Sequence, residues 1–244
     1  MTRQRVLITG GHKRLGRAVA RHLAGLGARV AIHYRRDAEL AEALALELGG
    51  IAVGGELTDS ADVARLVAAV TRAWGGLDLL VASAATWQPT DLASASVDAL
   101  DAALHSNARA PVELILRCRP HLEASADGRV VVFGDLAGVT PFRGYLGHSM
   151  AKAALHAAVR GLAVELAPRV TVNAVLPGAV LRPEDDTAAS WAALQRAVPM
   201  GELALEDPDE PVRAVVEAVA WLASCSRYLT GVLLPVDGGR SARW

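Results

Sequence analysis

Short apolar runs alternate with longer stretches of helical periodicity along the chain. The pattern predicts strands at Val6–Thr9, Arg29–Tyr34, Ile51–Gly54, Leu77–Ala82, Val130–Phe133, Val170–Val175 and Val232–Val236. Between them it predicts helices at Leu15–Leu26, Glu39–Leu48, Ala61–Trp74, Val97–Glu123, Tyr145–Leu166 and Pro211–Ala223. The strand runs are continuous rather than alternating, as expected when helices cover both faces of a sheet. Repeated β-α-β units with right-handed crossovers then give an α/β fold, a Rossmann-type doubly wound parallel β-sheet. Residues 1–244 are read as a single domain with no linker or repeat. One irregular region, about 182–209, is rich in Pro, Asp and Glu and is read as a substrate lid, a common use of so long a loop.

Composition narrows the class. Hydrophobic residues make up 52% and charged ones 21%, enough for a core on both sheet faces. A net charge of −1 creates no field toward nucleic acid or anionic lipid. Cys118 and Cys225 stand alone in apolar contexts, which fits buried thiols rather than a disulfide framework or a zinc site. Met1-Thr2-Arg3-Gln4-Arg5 runs straight into the first strand without a signal-like stretch, and no apolar run approaches the ~20 residues of a membrane span. The expectation is a soluble, cytoplasmic protein with a small-molecule substrate and neither nucleic acid nor membrane as partner.

The first chemistry-bearing motif follows the first strand: Thr9-Gly10-Gly11-His12-Lys13-Arg14-Leu15-Gly16, opening directly into a helix. Glycines allow a tight turn and close approach of backbone to a pyrophosphate, which unpaired amides and the helix dipole then favour. At the end of the second strand an acidic residue would bind a free ribose 2′-hydroxyl, whereas arginine favours a 2′-phosphate. The chain has His33-Tyr34-Arg35-Arg36 there, with Lys13 and Arg14 able to approach from the loop. This selects NADPH as the cofactor. The alternative is a solvated pair of arginines, and Asp37 would repel a 2′-phosphate if it pointed inward.

With these pieces the chain resembles the short-chain dehydrogenase/reductases, and within them the pteridine reductase branch. Further strings carry the likeness: Asn107-Ala108-Arg109-Ala110-Pro111, Val172-Asn173-Ala174-Val175-Leu176-Pro177-Gly178-Ala179-Val180 and Val236-Asp237-Gly238-Gly239-Arg240-Ser241. The resemblance implies cofactor contacts from Gly10, His12, Lys13, Arg14, Leu15, Gly16, His33, Tyr34, Arg35, Arg36, Glu56, Leu57, Ser83, Ala84, Lys152, Pro177, Gly178 and Val180. It implies a catalytic group at Asn107, Asp135, His148 and Lys152, with Tyr145 one turn before His148. Arg14, Trp87, Asp135, Tyr145 and His148 are the implied substrate contacts, Trp87 by stacking on a flat ring. A homo-oligomer, usually a tetramer, is implied as well.

The departures matter more than the matches. His148 stands where the superfamily carries tyrosine, in His148-Ser149-Met150-Ala151-Lys152, and Asp135 where most members carry serine. Spacing of i and i+4 puts His148 and Lys152 on one helix face. Imidazole titrates near neutrality and can serve as an acid, although Lys152 disfavours its cation and Asp135 favours it. Three readings stay open: His148 donates the proton, it orients substrate while Asp135 or Tyr145 donates, or catalysis has been lost. Ala82-Ser83-Ala84-Ala85 replaces the usual paired asparagines after the fourth strand, where Ser83 can replace one. Either Glu56 or Asp59 takes the acidic position that binds adenine. The expected activity is NADPH-dependent reduction of a pterin or similar C=N or C=O heterocycle. The alternatives are a non-redox enzyme using His148 and Asp135 as acid and base, and a silent nucleotide-binding member.

Overall fold

A computed structural model describes residues 4–90, 92–93, 95–183 and 186–242. The opening Met1, Thr2 and Arg3, two positions of the lid reading (Glu184 and Asp185), and the closing Arg243 and Trp244 lie outside the described residues. The strands are β1 (Arg5–Ile8), β2 (Arg29–Tyr34), β3 (Ile51–Gly54), β4 (Leu79–Ala82), β5 (Gly128–Phe133), β6 (Val170–Pro177) and β7 (Leu233–Val236). The helices are α1 (Arg14–Gly25), α2 (Ala38–Glu47), α3 (Ser60–Trp74), α4 (Val97–Leu104), α5 (Ala110–Glu123), α6 (Leu146–Glu165), α7 (Ala188–Arg196), α8 (Gly201–Glu206) and α9 (Glu210–Leu222).

The strands form one parallel seven-stranded sheet in the order β3-β2-β1-β4-β5-β6-β7. Alternation along each strand explains the continuous apolar runs. Val6 and Ile8 face α1, α2 and α9, whereas Leu7 between them faces α3, α5 and α6. On β5, Val131 joins the first layer and Val130 and Val132 the second. Both sides of the central strands are therefore core, which keeps their runs mostly apolar. In register, Ile8 lies between Ile32 of β2 and Val81 of β4. Strand order reverses between β1 and β4, so the loops leaving their carboxyl ends diverge and open a crevice there.

Two readings need correction. The stretch 97–123 is not one helix: a π-helical turn, His105–Arg109, divides α4 from α5. The region 182–209 is not irregular throughout, since it holds α7 and α8. Thr187 starts α7 by accepting a bond from the Ser190 amide, and α7 packs on α8. Gln195 of α7 is buried and donates to the Ala179 carbonyl at 2.7 Å, which fastens this segment to the end of β6. No helix among the described residues is long and apolar enough to cross a membrane.

Candidate active site

The carboxyl ends of β1 and β4 are latched by Thr9. Its hydroxyl accepts from the Ser83 and Ala84 amides, both at 3.0 Å, and the Ser83 hydroxyl donates back to the Thr9 carbonyl. Ser83 thus supplies a brace at the position where the family's asparagines were missed. Gly10 turns at φ +61°, a conformation costly for other residues, and a Cβ there would lie 3.3 Å from the Ala84 Cα. A Cβ on Gly16 would collide with the Gly10 carbonyl. Lys13 starts α1 with no side-chain capping bond, which leaves the first-turn amides for a ligand. Arg14 also sits at positive φ, +49°, a strained placement for a side-chain-bearing residue. Its guanidinium donates to the Leu181 and Arg182 carbonyls at 3.3 and 3.4 Å, tying the glycine loop to the chain after β6.

The remaining cofactor candidates divide into braces and free groups. His33 is buried; its Nδ1 accepts from the Gly10 amide at 3.3 Å and its Nε2 donates to the Gly55 carbonyl at 3.0 Å. Burial pushes its pKa below the usual histidine value, against the opposing pull of the Gly55 carbonyl. It therefore holds the loop from behind, with no ring nitrogen left for a ligand. Leu15 and Leu57 pack against the two core layers. Gly178 donates to the Val236 carbonyl at 3.0 Å, Pro177 ends β6, and Val180 is buried beyond it. Arg35 lies 3.6 Å from Glu56, while Arg36 is exposed. Asp37 does turn toward the loop: its carboxylate lies 3.6 Å from His12 Nε2 and 3.8 Å from Lys13 Nζ.

The second cluster sits above β4 and β5. Asn107 is buried in the π-helical turn; its Oδ1 accepts from the Thr86 amide and its Nδ2 donates to the Thr86 hydroxyl, both at 2.9 Å. This clamp fixes the Thr86 carbonyl, which faces His148 Nδ1 at 3.2 Å. The other nitrogen, Nε2, lies 3.3 Å from the Asp135 carboxylate. A carbonyl and a carboxylate only accept, so both imidazole nitrogens face acceptors. The pair consequently stores a proton, as imidazolium against carboxylate or as imidazole against carboxylic acid. Burial alone would raise the Asp135 carboxyl, but the bonds from His148 and the Ala137 amide, with the charge of Lys152, hold it below its ordinary value.

Lys152 lies one turn further along α6, fully buried, with Nζ donating to the Phe133 carbonyl at 2.8 Å. Burial pushes its pKa down to about 8, against the opposing pull of Asp135. Trp87 is 46% exposed and heads an aromatic cluster, with Tyr145 at 4.3 Å, His148 edge-on at 4.5 Å and Phe142 at 6.3 Å between ring centroids. Arg240 stands over the Phe142 ring at 5.0 Å. Tyr145 covers part of one Trp87 face, so a flat substrate has the rest of the patch.

Thr9, Thr86 and His156 were not singled out in the sequence. His156 follows Lys152 by one more helical turn and accepts from the Asp135 amide at 3.4 Å. Its ring fits because Gly134 and Gly138 lack the Cβ atoms that would lie 2.7 and 2.6 Å from it. Burial and the charge of Lys152 push its pKa down to about 4, so it stays a neutral acceptor. The repeat of i+4 from His148 through Lys152 was its one legible signal.

A family model described as enoyl-(acyl carrier protein) reductase matches residues 11–241. Human dehydrogenase/reductase SDR family member 4 is 30% identical over 246 residues, covering 97% of this chain and 87% of that protein. The chain belongs to the short-chain dehydrogenase/reductase superfamily. Glucose 1-dehydrogenase of Gluconobacter oxydans is 34% identical over 252 residues, covering 97% of this chain and 91% of that one. A crystal structure of a dehydrogenase/reductase from Sinorhizobium meliloti superposes with a TM-score of 0.87 at 31% identity, over 98% of this chain and 96% of the other. The protein is an oxidoreductase of the short-chain type, a family that uses nicotinamide cofactors.

Proposed function

We propose that the protein is an NADPH-dependent, pteridine reductase-like enzyme that reduces a C=N or C=O bond in a flat heterocycle, with the His148–Asp135 pair as the proton source. The observation that carries this reading is the pairing itself, in which both nitrogens of a buried imidazole face oxygen acceptors. The residues present fit the nucleotide: a loop in which Gly10 and Gly16 leave no room for side chains, and a helix start whose amides are uncapped. The bound nicotinamide supplies hydride to the substrate carbon. The His148–Asp135 pair gives its proton to the substrate nitrogen or oxygen, so one C–H and one N–H or O–H bond form as the double bond is lost. Asp135 faces His148 Nε2, and the Thr86 carbonyl fixes the ring so that this edge turns to Asp135. Asn107 holds Thr86. Lys152, close to half-neutral near pH 8, binds the nicotinamide ribose and passes a proton back toward the pair. Trp87, 46% exposed, supplies an apolar face for a planar ring.

We read the protein further as a cytoplasmic homo-oligomer, a tetramer by family habit. Support comes from large apolar side chains exposed on its outer helices, Val164 on α6 and Trp221 on α9 among them. Residues 182–209, with α7 and α8, act as the substrate lid. Mixing the protein with NADPH and dihydropterins, imines or ketones and following loss of reduced-nicotinamide absorbance tests the activity. Cofactor binding without turnover on any of the three classes refutes the reductase reading.

A further inference from the structure

His12 is the one residue of the glycine loop whose side chain the loop's own architecture leaves unexplained. Its ring is buried, with 5% of the residue exposed, yet among the described residues neither nitrogen has a hydrogen-bond partner. An imidazole is a poor choice for a dry, unpartnered place, because each orphaned nitrogen gives up its hydrogen bond to water with nothing in return. The ring rests edge-on against Tyr34, with centroids 6.4 Å apart, and Nε2 points at Asp37, too far at 3.6 Å for a good hydrogen bond. Asp37 is odd in its own way. It occupies the position before α2, where aspartate ordinarily caps, but adopts φ +62° and makes no capping bond. Its carboxylate turns instead into the space between His12 and Lys13.

We propose that His12 and Asp37 form a proton-linked selector at the ribose 2′ position, through which a 2′-phosphorylated nucleotide binds with uptake of a proton on His12 and an unphosphorylated one binds without it. This rests on the dinucleotide reading given above and adds to it a determinant of cofactor choice. With His12 neutral, ionised Asp37 can accept a bond from a free 2′-hydroxyl. A phosphate dianion in the same place repels Asp37 and is accepted only when the neighbouring positive charge rises. Lys13 supplies one charge, and protonated His12 supplies the second. The groups facing His12 are Lys13 from its own loop, Asp37 from the start of α2, and neutral His33 with Tyr34 from the end of β2. Burial and Lys13 hold the His12 pKa below the usual histidine value, against the weaker pull of Asp37. The ring is thus mostly unprotonated near neutrality and has a proton to gain. Linkage fixes the sign: NADPH affinity falls as pH rises through the window between the free and bound titrations, by up to about tenfold per pH unit, and NADH affinity does not.

Calorimetric titration of the full chain with NADPH and with NADH, at pH 7.5 in two buffers of different ionisation enthalpy, reads the proton directly. At that pH the 2′-phosphate, with a second pKa of about 6, is already almost wholly a dianion and contributes little. The expected result is uptake approaching one proton with NADPH, near zero with NADH, and loss of the NADPH uptake in His12→Gln. Equal uptake with both nucleotides, or uptake unchanged in His12→Gln, overturns the selector. If that variant does not fold, the NMR titration of the His12 ring in the wild-type protein replaces it. A midpoint raised by NADP⁺ supports the proposal and an unmoved one overturns it. NADPH that binds without proton uptake sinks the selector and leaves the reductase reading standing. Failure of NADPH to bind sinks both.

Discussion

Replacing His148 by glutamine separates a proton donor from a mere spacer. Glutamine has nearly the reach of the imidazole and can still donate a hydrogen bond to Asp135, but it has no proton to give. Removing a positioned general acid costs about 10²–10⁴ in rate, equivalent to about 3–5 kcal/mol on the barrier. The burial of His148 argues for the upper half of that range, since water has little access to take over proton delivery. Asp135→Asn should cost less. The imidazole then faces a neutral amide at 3.3 Å in place of a carboxylate, and a hydrogen bond to a charged group is worth roughly twice a neutral one. A loss of about tenfold to a hundredfold is expected. The two residues share one proton, so their effects should not add: the double variant should be close to His148→Gln alone.

The assay is single-turnover oxidation of NADPH at saturating substrate across pH 5.5–9, with nucleotide affinity measured separately by fluorescence. Cofactor affinity is expected to change little, because neither side chain belongs to the loop that grips the phosphates. If His148→Gln stays within about threefold of wild type with the same pH profile, the proton comes from elsewhere. Tyr145, whose ring lies beside Trp87, would then be the group to examine.

Further outcomes are expected elsewhere in the molecule. Asp78 accepts from the Arg5 amide at 2.8 Å, from its guanidinium at 2.8 and 2.6 Å, and from Ser125 at 2.7 Å. Although burial alone would raise the Asp78 carboxyl, these bonds hold it at about 2. Its contribution of about 2.5 kcal/mol should be fully present above pH 4 and vanish as pH falls toward 2, and Asp78→Asn should remove that pH dependence in urea titrations. Lys152→Met should abolish turnover yet raise the melting temperature at pH 7, because the buried ammonium is held charged there against desolvation; the gain is capped at about 2 kcal/mol by the Phe133 carbonyl left unpaired. Gly16→Ala drives a methyl group into the Gly10 carbonyl and should weaken NADPH at least about tenfold, as overpacking of 1–3 kcal/mol deforms the cradle. Calorimetry showing unchanged affinity in that variant would remove Gly16 from the nucleotide site.

What the sequence hid follows from where its signals come from. Strand cores and the i, i+4 pairing of His148 with Lys152 were legible because side-chain identity and spacing encode them. Strand β5 begins at Gly128 rather than Val130 for a reason hydropathy cannot carry: Arg129 is buried with its charge answered by Asp127 at 2.9 Å and by the Leu222 carbonyl at 3.3 Å. The π-helical turn at His105–Arg109 was invisible because one residue of slack in a long apolar helix barely shifts the pattern of buried positions. Helices α7 and α8, short and with few buried residues, lacked a strong apolar stripe to mark them. The partners of His148 were hidden most deeply. Lys152 and Asp135 could be named as opposing influences, but the second acceptor is the main-chain carbonyl of Thr86, and any residue at that position would present one. What places this carbonyl is Asn107, whose amide grips Thr86. Replacing Asn107 by alanine should therefore lower turnover in the single-turnover NADPH assay, because Thr86 loses the amide that holds its carbonyl against His148.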